Sequence, residues 1–336
     1  MITNATLQRR LDTRTKPQGS LGALEALALR IGLALDTETP KLHAPQMFVF
    51  AGDHGIATDG VSAYPQAVTA QMLLNYLDGG AAINVLARQH GITLRVVDAG
   101  VATDVGHHAG LIARAVARGT RNFRVEPAMT AEQCATAIES GKALAHEALR
   151  NGSNALLFGE MGIGNTACAA MLLHRRTGWS FEDCVGRGTG LDDAGLQRKR
   201  ERLTEASARC PDQLTPMATI TEFGGFELAM MTGALLATAE QKCVAVIDGF
   251  AVSVAAMLAF EIDPRVRARC IFSHCSAEHA HRQLLSHLGV APLLDLGMRL
   301  GEGTGAAMAW PLIDSAARLM TEMASFESAG VSNRDS

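Results

Sequence analysis

From Gln46 onward the chain repeats one pattern: a short apolar run closes on a small or acidic residue and a glycine, and a segment of helical length follows. The runs are Met47-Phe48-Val49-Phe50-Ala51, Leu94-Arg95-Val96-Val97, Ala155-Leu156-Leu157-Phe158, Cys243-Val244-Ala245-Val246-Ile247 and Arg269-Cys270-Ile271-Phe272. Short and rich in Val, Ile and Phe, they predict strands buried on both faces. Between them, 70–86, 131–150, 166–176, 195–210 and 226–239 carry apolar residues three and four apart, which predicts amphipathic helices. Residues 23–35 predict an earlier helix with Ser20 as a candidate cap, and 306–326 a last one. This alternation predicts an α/β fold, a doubly wound parallel sheet covered on both faces.

In such sheets a ligand lies beyond the carboxyl ends of the strands. Asp53, His54, Asp98, Glu160, Asp248, Ser273 and His274 follow the five runs directly, so they are expected to converge on that rim. Short polar residues also favour turns and helix caps, and for Asp98 and Asp248 that reading stands equally open. The apolar stretch 243–262 is split by Asp248-Gly249 into a strand-like and a helix-like piece. A membrane-spanning helix needs about 20 uninterrupted apolar residues, so the stretch reads as core.

Composition narrows the classes of function. Of 336 residues, 48% are hydrophobic and 19% charged, enough for a large core. Lys and Arg number 30 against 34 Asp and Glu, a net charge of -4 without a basic block, which argues against a nucleic-acid partner. Seven scattered cysteines with no CxxC pair fit reduced thiols in the cytoplasm. The polar first eleven residues, with Arg9-Arg10, do not resemble a cleaved signal peptide.

Several motifs carry candidate chemistry. Gly162-Ile163-Gly164-Asn165-Thr166 follows a strand and opens a helix, where free backbone N–H groups can bind phosphate; a merely tight turn is the alternative. It matches neither a Walker loop nor the G-x-G-x-x-G dinucleotide fingerprint. Gly186-Arg187-Gly188-Thr189-Gly190 is a second flexible loop, with Arg198, Lys199 and Arg200 shortly beyond it. A solvated face suits Arg198 and Arg200, and leaves Lys199 open. Cys270, His274, Cys275, His279 and His281 raise a zinc question. A buried strand position for Cys270, and a helix spreading His279 and His281 onto different faces, argue against a metal site. No G-x-S-x-G elbow is present, so serine hydrolase chemistry has no support. Glu302 stands in Arg299-Leu300-Gly301-Glu302-Gly303-Thr304-Gly305, before a helix. An acid at a helix start complements the macrodipole, but side-chain packing cannot explain one placed among three glycines.

The ordered set Lys16-Pro17-Gln18-Gly19-Ser20-Leu21-Gly22, Asp53-His54-Gly55-Ile56, Gly159 to Thr166, Gly224-Gly225-Phe226, Met231-Thr232-Gly233, Asp248-Gly249-Phe250, Ser273 to Glu278 and Arg299 to Gly305 resembles the nicotinate-nucleotide–dimethylbenzimidazole phosphoribosyltransferase family, from about residue 16 to about 330. The resemblance implies transfer of 5-phosphoribose from nicotinate mononucleotide to 5,6-dimethylbenzimidazole, giving α-ribazole 5′-phosphate and nicotinate for the nucleotide loop of cobalamin. It implies a homodimer with no cofactor and no metal. It also implies a large Rossmann-like domain over 40–300 and a small helical domain assembled from 1–39 and 301–336.

By that resemblance Glu302 matches the catalytic base and Glu160 a supporting carboxylate near the ribose or the base. Gly162, Asn165, Thr166, Gly188, Thr189 and Lys199 match phosphate and ribose contacts, and Ser276, Leu300 and Ile163 line the base pocket. The glycines around Glu302 then read as clearance for a flat aromatic base. The chain departs from some relatives in the loop 61–72, where Tyr64 and Met72 replace small polar and amide side chains. A phenolic or purine base is therefore an alternative acceptor. A non-catalytic sensor or carrier of a phosphorylated nucleoside or free base is the other class of function, and it would have no need of Glu302.

Overall fold

The computed structural model describes residues 2–211 and 213–332. The first half of the chain runs α1 (Asn4–Asp12), α2 (Ala23–Leu35), β1 (Gln46–Gly52), α3 (Ala67–Leu77), α4 (Ala82–His90), β2 (Thr93–Gly100), β3 (Leu111–Ala113) and α5 (Ala131–Arg150). There follow β4 (Ala155–Met161), α6 (Asn165–Thr177), α7 (Phe181–Cys184), α8 (Asp193–Ser207), α9 (Pro216–Phe223) and α10 (Phe226–Thr238). Then come β5 (Val244–Ile247), α11 (Phe250–Ile262), β6 (Cys270–Phe272), α12 (His281–His287), α13 (Thr304–Glu322) and α14 (Phe326–Ala329).

All strand pairs are parallel, in the order β3-β2-β1-β4-β5-β6. Strand order reverses beside β1, which pairs with β2 on one side and β4 on the other. Alternate side chains serve the two faces. Phe48, Phe50, Phe158, Ile247 and Phe272 pack with α5, α6, α9, α10 and α11. Met47, Val49, Leu157, Val246 and Ile271 pack with α2, α3, α4 and α13. Every residue of α10 is buried. The chain ends meet on the second face: Leu7, Leu11 and Ile31 share a layer with Ile313 and Met320, and the Arg14 guanidinium donates to the Met320 carbonyl at 2.7 Å.

The five expected strands are present, and the doubly wound parallel sheet is the observed fold. Three local details differ from the sequence reading. β3 is an edge strand of three residues, paired only with β2. The expected helix over 70–86 is two helices, because Gly79 turns left-handed at φ +79° and ends the first. The Asn84 side chain then accepts from Ala81 N–H and donates to the Tyr76 carbonyl, fixing the corner. Ser20 does not cap α2: Gly22 holds that position, and Glu25 accepts from Leu21 N–H while pairing with Lys16 at 2.8 Å.

Candidate active site

Glu302 is held in a left-handed turn, with Gly301, Glu302 and Gly303 at φ +88°, +63° and +86°. For a residue with a Cβ, such a conformation costs on the order of 1–2 kcal/mol and persists only where its surroundings impose it. The surroundings are visible. A Cβ on Gly159 would lie 2.5 Å from the Glu302 carbonyl carbon, so β4 presents bare backbone to the turn. Cβ atoms on Gly301, Gly303 and Gly305 would meet Glu160 Oε1 at 2.6 Å, Met47 Sδ at 2.5 Å and His274 Cδ2 at 2.1 Å. These glycines make room for the protein's own atoms, which corrects the reading of them as clearance for a flat ligand.

The start of α13 is capped by Asp248, whose Oδ2 accepts from Gly303 N–H at 3.2 Å and Oδ1 from Ala306 N–H at 2.9 Å. Burial raises its pKa to about 7, against the pull of those backbone donors. The helix-cap role falls to Asp248 and leaves Glu302 without it. Glu302 is 5% exposed, and its Oε2 has no hydrogen-bond partner. Burial raises its pKa, and the backbone at Ile83 and the Tyr76 hydroxyl offset part of that.

In front of this turn lies an open cleft lined by Glu160, Gly162, Ile163, Asn165, Thr166, Gly188, Thr189, Ser276 and Leu300, nine of the residues expected from sequence. Asn165 donates its amide N–H to the Glu160 carboxyl. Burial, reinforced by Asp248, Glu227 and Glu302, pushes Glu160 up to about 8, so it is largely protonated at neutral pH. Lys199 stands behind the lining, fully enclosed, with Nζ donating to Thr166 Oγ1 at 3.0 Å and to the Gly186 carbonyl at 3.2 Å. Burial brings it down to about 8. A Cβ on Gly188 would sit 2.8 Å from Thr166 Oγ1 and 3.5 Å from Lys199 Nζ, so the two glycine loops and the lysine meet at one point. Arg299 closes the mouth by donating to the Gly188 carbonyl at 3.1 Å.

Tyr64 and Met72 lie outside that lining. Tyr64 is exposed on a loop tied to Thr189 through Ser62 Oγ at 3.2 Å. Met72 lies on α3 between Thr69 and Tyr76, at helical spacing from both. Thr69 Oγ1 accepts from Ile163 N–H at 3.1 Å, while Tyr76 faces Glu302. Sequence reasoning missed Thr69 and Tyr76; an inward polar stripe on an otherwise apolar helix was their signal.

Of the other rim residues, His274 lines the cleft, whereas Asp53, His54, Asp98, Asp248 and Ser273 are buried and outside its lining. Asp98 accepts from Gly100 and Val101 N–H, a turn role. His281 opens α12 and His279 precedes it. Among the described residues no group of three His, Cys, Asp or Glu is placed to hold a metal ion.

The fold is that of a doubly wound α/β protein whose cleft lies beyond the carboxyl ends of β4, β5 and β6, where such folds bind ligands, with a buried carboxylate in its lining and a lysine behind its glycine loops. A family described as Phosphoribosyltransferase matches residues 2–331. The nicotinate-nucleotide–dimethylbenzimidazole phosphoribosyltransferase of Cupriavidus necator is 55% identical over 326 residues, covering 97% of this chain and 94% of the relative. That of Dechloromonas aromatica is 55% identical over 332 residues, covering 98% and 95%. The crystal structure of CobT from Thermus thermophilus superposes with a TM-score of 0.95 at 43% identity, covering 98% of this chain and 99% of that one. The chain belongs to the nicotinate-nucleotide–dimethylbenzimidazole phosphoribosyltransferase family, and is thus a glycosyltransferase.

Proposed function

We propose that the protein transfers 5-phosphoribose from nicotinate mononucleotide to 5,6-dimethylbenzimidazole, in assembly of the nucleotide loop of cobalamin, with Glu302 as general base. The observation that carries this reading is the Glu302 carboxylate, buried, unpaired at Oε2 and held at φ +63° beside Glu160. The ring N–H of the base gives its proton to Glu302 while the other ring nitrogen forms a bond to ribose C1′. The bond from C1′ to the pyridinium nitrogen breaks, its electron pair returns to that ring, and nicotinate leaves without needing a proton. Attack opposite the leaving group converts a β-linked donor into an α-linked product. Burial holds the Glu302 pKa above the ordinary range, bringing it nearer the working pH as a base.

The 5′-phosphate belongs at Gly162, Thr166, Gly188 and Thr189, with Lys199 behind them, and Asn165 and protonated Glu160 toward the ribose. Ile163, Ser276 and Leu300 line the base pocket, which Tyr64 and Met72 border. We read the protein as a cytoplasmic homodimer whose terminal helices, 1–39 and 301–336, act as a small discontinuous domain. Exposed Tyr64 and Leu300 near the cleft support association there, and no helix among the described residues is long and apolar enough to cross a membrane. The test is the anomeric configuration of the product by proton NMR: the α-linked riboside is expected, and a β-linked one would overturn the displacement geometry.

A further inference from the structure

A second ionic group lies behind the cleft, unused by the reaction as written. His54, just after β1, and Glu227, in the first turn of α10, are both fully enclosed, with Nε2 and Oε1 2.9 Å apart. A buried ion pair is costly to desolvate, and apolar replacements of similar size are often at least as stable. Stability alone therefore gives no reason for this one.

Its surroundings point to the site. A Cβ on Gly225 would lie 2.3 Å from both Glu227 Oε2 and His54 Cε1. One on Gly52 would lie 2.8 Å from Glu227 Oε2, one on Gly162 3.1 Å from His54 Nε2, and one on Gly164 3.3 Å from His54 Cβ. The imidazole is thus wedged beneath the Gly162–Gly164 turn, whose outer side lines the cleft. The titratable groups that reach it are Glu227 from α10, Cys168 from α6, Glu160 from β4 and its neighbour Asp53. The Cys168 thiol donates to the Phe223 carbonyl.

We propose that His54, ion-paired with Glu227, is a positioning residue for the phosphoribosyl donor: it supports the Gly162–Gly164 turn from behind and so holds the side of that turn that lines the cleft. Burial works to discharge His54, but the Glu227 carboxylate and the Cys168 sulfur together raise the imidazole well above its ordinary range, which favours the imidazolium.

The proposal rests on the donor assigned above. Its test is the double variant His54→Gln, Glu227→Gln, which keeps the volume and leaves no unpaired charge, with folding checked by thermal melt. The expected result is a KM for nicotinate mononucleotide raised by about tenfold or more, as for a displaced binding turn, with an unchanged KM for the base. A folded double variant with wild-type donor KM would overturn the proposal. In parallel, nitrogen-15 NMR of the wild-type protein follows His54 during titration with inorganic phosphate. An imidazolium signal that shifts with phosphate is expected, and a neutral or unresponsive ring overturns the proposal even if the wild type were to release no nicotinate, a result that would count against the donor assignment instead.

Discussion

Replacing Glu302 by Gln keeps the side chain's shape and removes its capacity to take a proton. General-base removal costs ~10²–10⁴ in rate, or roughly 3–5 kcal/mol of transition-state stabilisation. The structure adds a second, opposite expectation for stability. The Glu302 pKa is raised in the fold, so the unfolded chain ionises more readily and the native carboxylate is a liability. That liability is absent below the unfolded pKa and fully present above the folded one. At pH 7 to 8, Glu302→Gln is therefore expected to melt at the same temperature as the wild type or higher, with kcat for nicotinate release lowered by about 10²–10⁴. Wild-type kcat should fall as pH drops through the raised Glu302 pKa, and the variant's residual activity should lack that limb. Nicotinate release under saturating substrates, calorimetric binding of nicotinate mononucleotide and a thermal melt decide the matter. Wild-type turnover in Glu302→Gln would refute the reasoning, and so would a lower melting temperature together with lost donor binding, which would make Glu302 a structural residue.

Three further outcomes follow from the same site. Donor binding should weaken as pH rises through about 8, where Glu160 gains a negative charge and Lys199 loses its positive one; flat calorimetric affinity from pH 7 to 9 would contradict both assignments. Lys199→Met should raise the KM for nicotinate mononucleotide roughly tenfold to a hundredfold, the range of a hydrogen bond to a charged group, and leave the KM for the base unchanged. Gly305→Ala drives a Cβ to within 2.1 Å of His274 and should cost about 1–3 kcal/mol by denaturant titration with a loss of kcat; wild-type stability would show that the turn is not confined as described.

The sheet was legible because its strands are continuous runs of Val, Ile and Phe, the form taken by strands covered on both faces. β3 escaped because three residues, paired on one side only, need no such run. The corner between α3 and α4 was signalled by Gly79-Gly80 but masked by the apolar periodicity on either side. Glu302, Glu160 and the two glycine loops could be named from sequence because each sits in a local motif. His54 was expected on the rim, but its pairing with Glu227 was not, since the two lie on separate elements and meet only through the fold; one acid in the otherwise apolar start of α10 was the trace of the partner. The roles of the glycines at 301, 303 and 305 were likewise out of reach, because which atoms fill the missing side-chain space depends on β1, β4 and the segment after β6.

The central claim is that nicotinate departs because a second base arrives at ribose C1′ beside Glu302. The direct measurement is nicotinate release from nicotinate mononucleotide by the purified protein, with and without 5,6-dimethylbenzimidazole and across benzimidazole, purine and phenolic bases. The account predicts release only when a base is present, one nicotinate per phosphoribosylated base, fastest with dimethylbenzimidazole. Release of nicotinate at the same rate without any base, or none with every base tested, would contradict it.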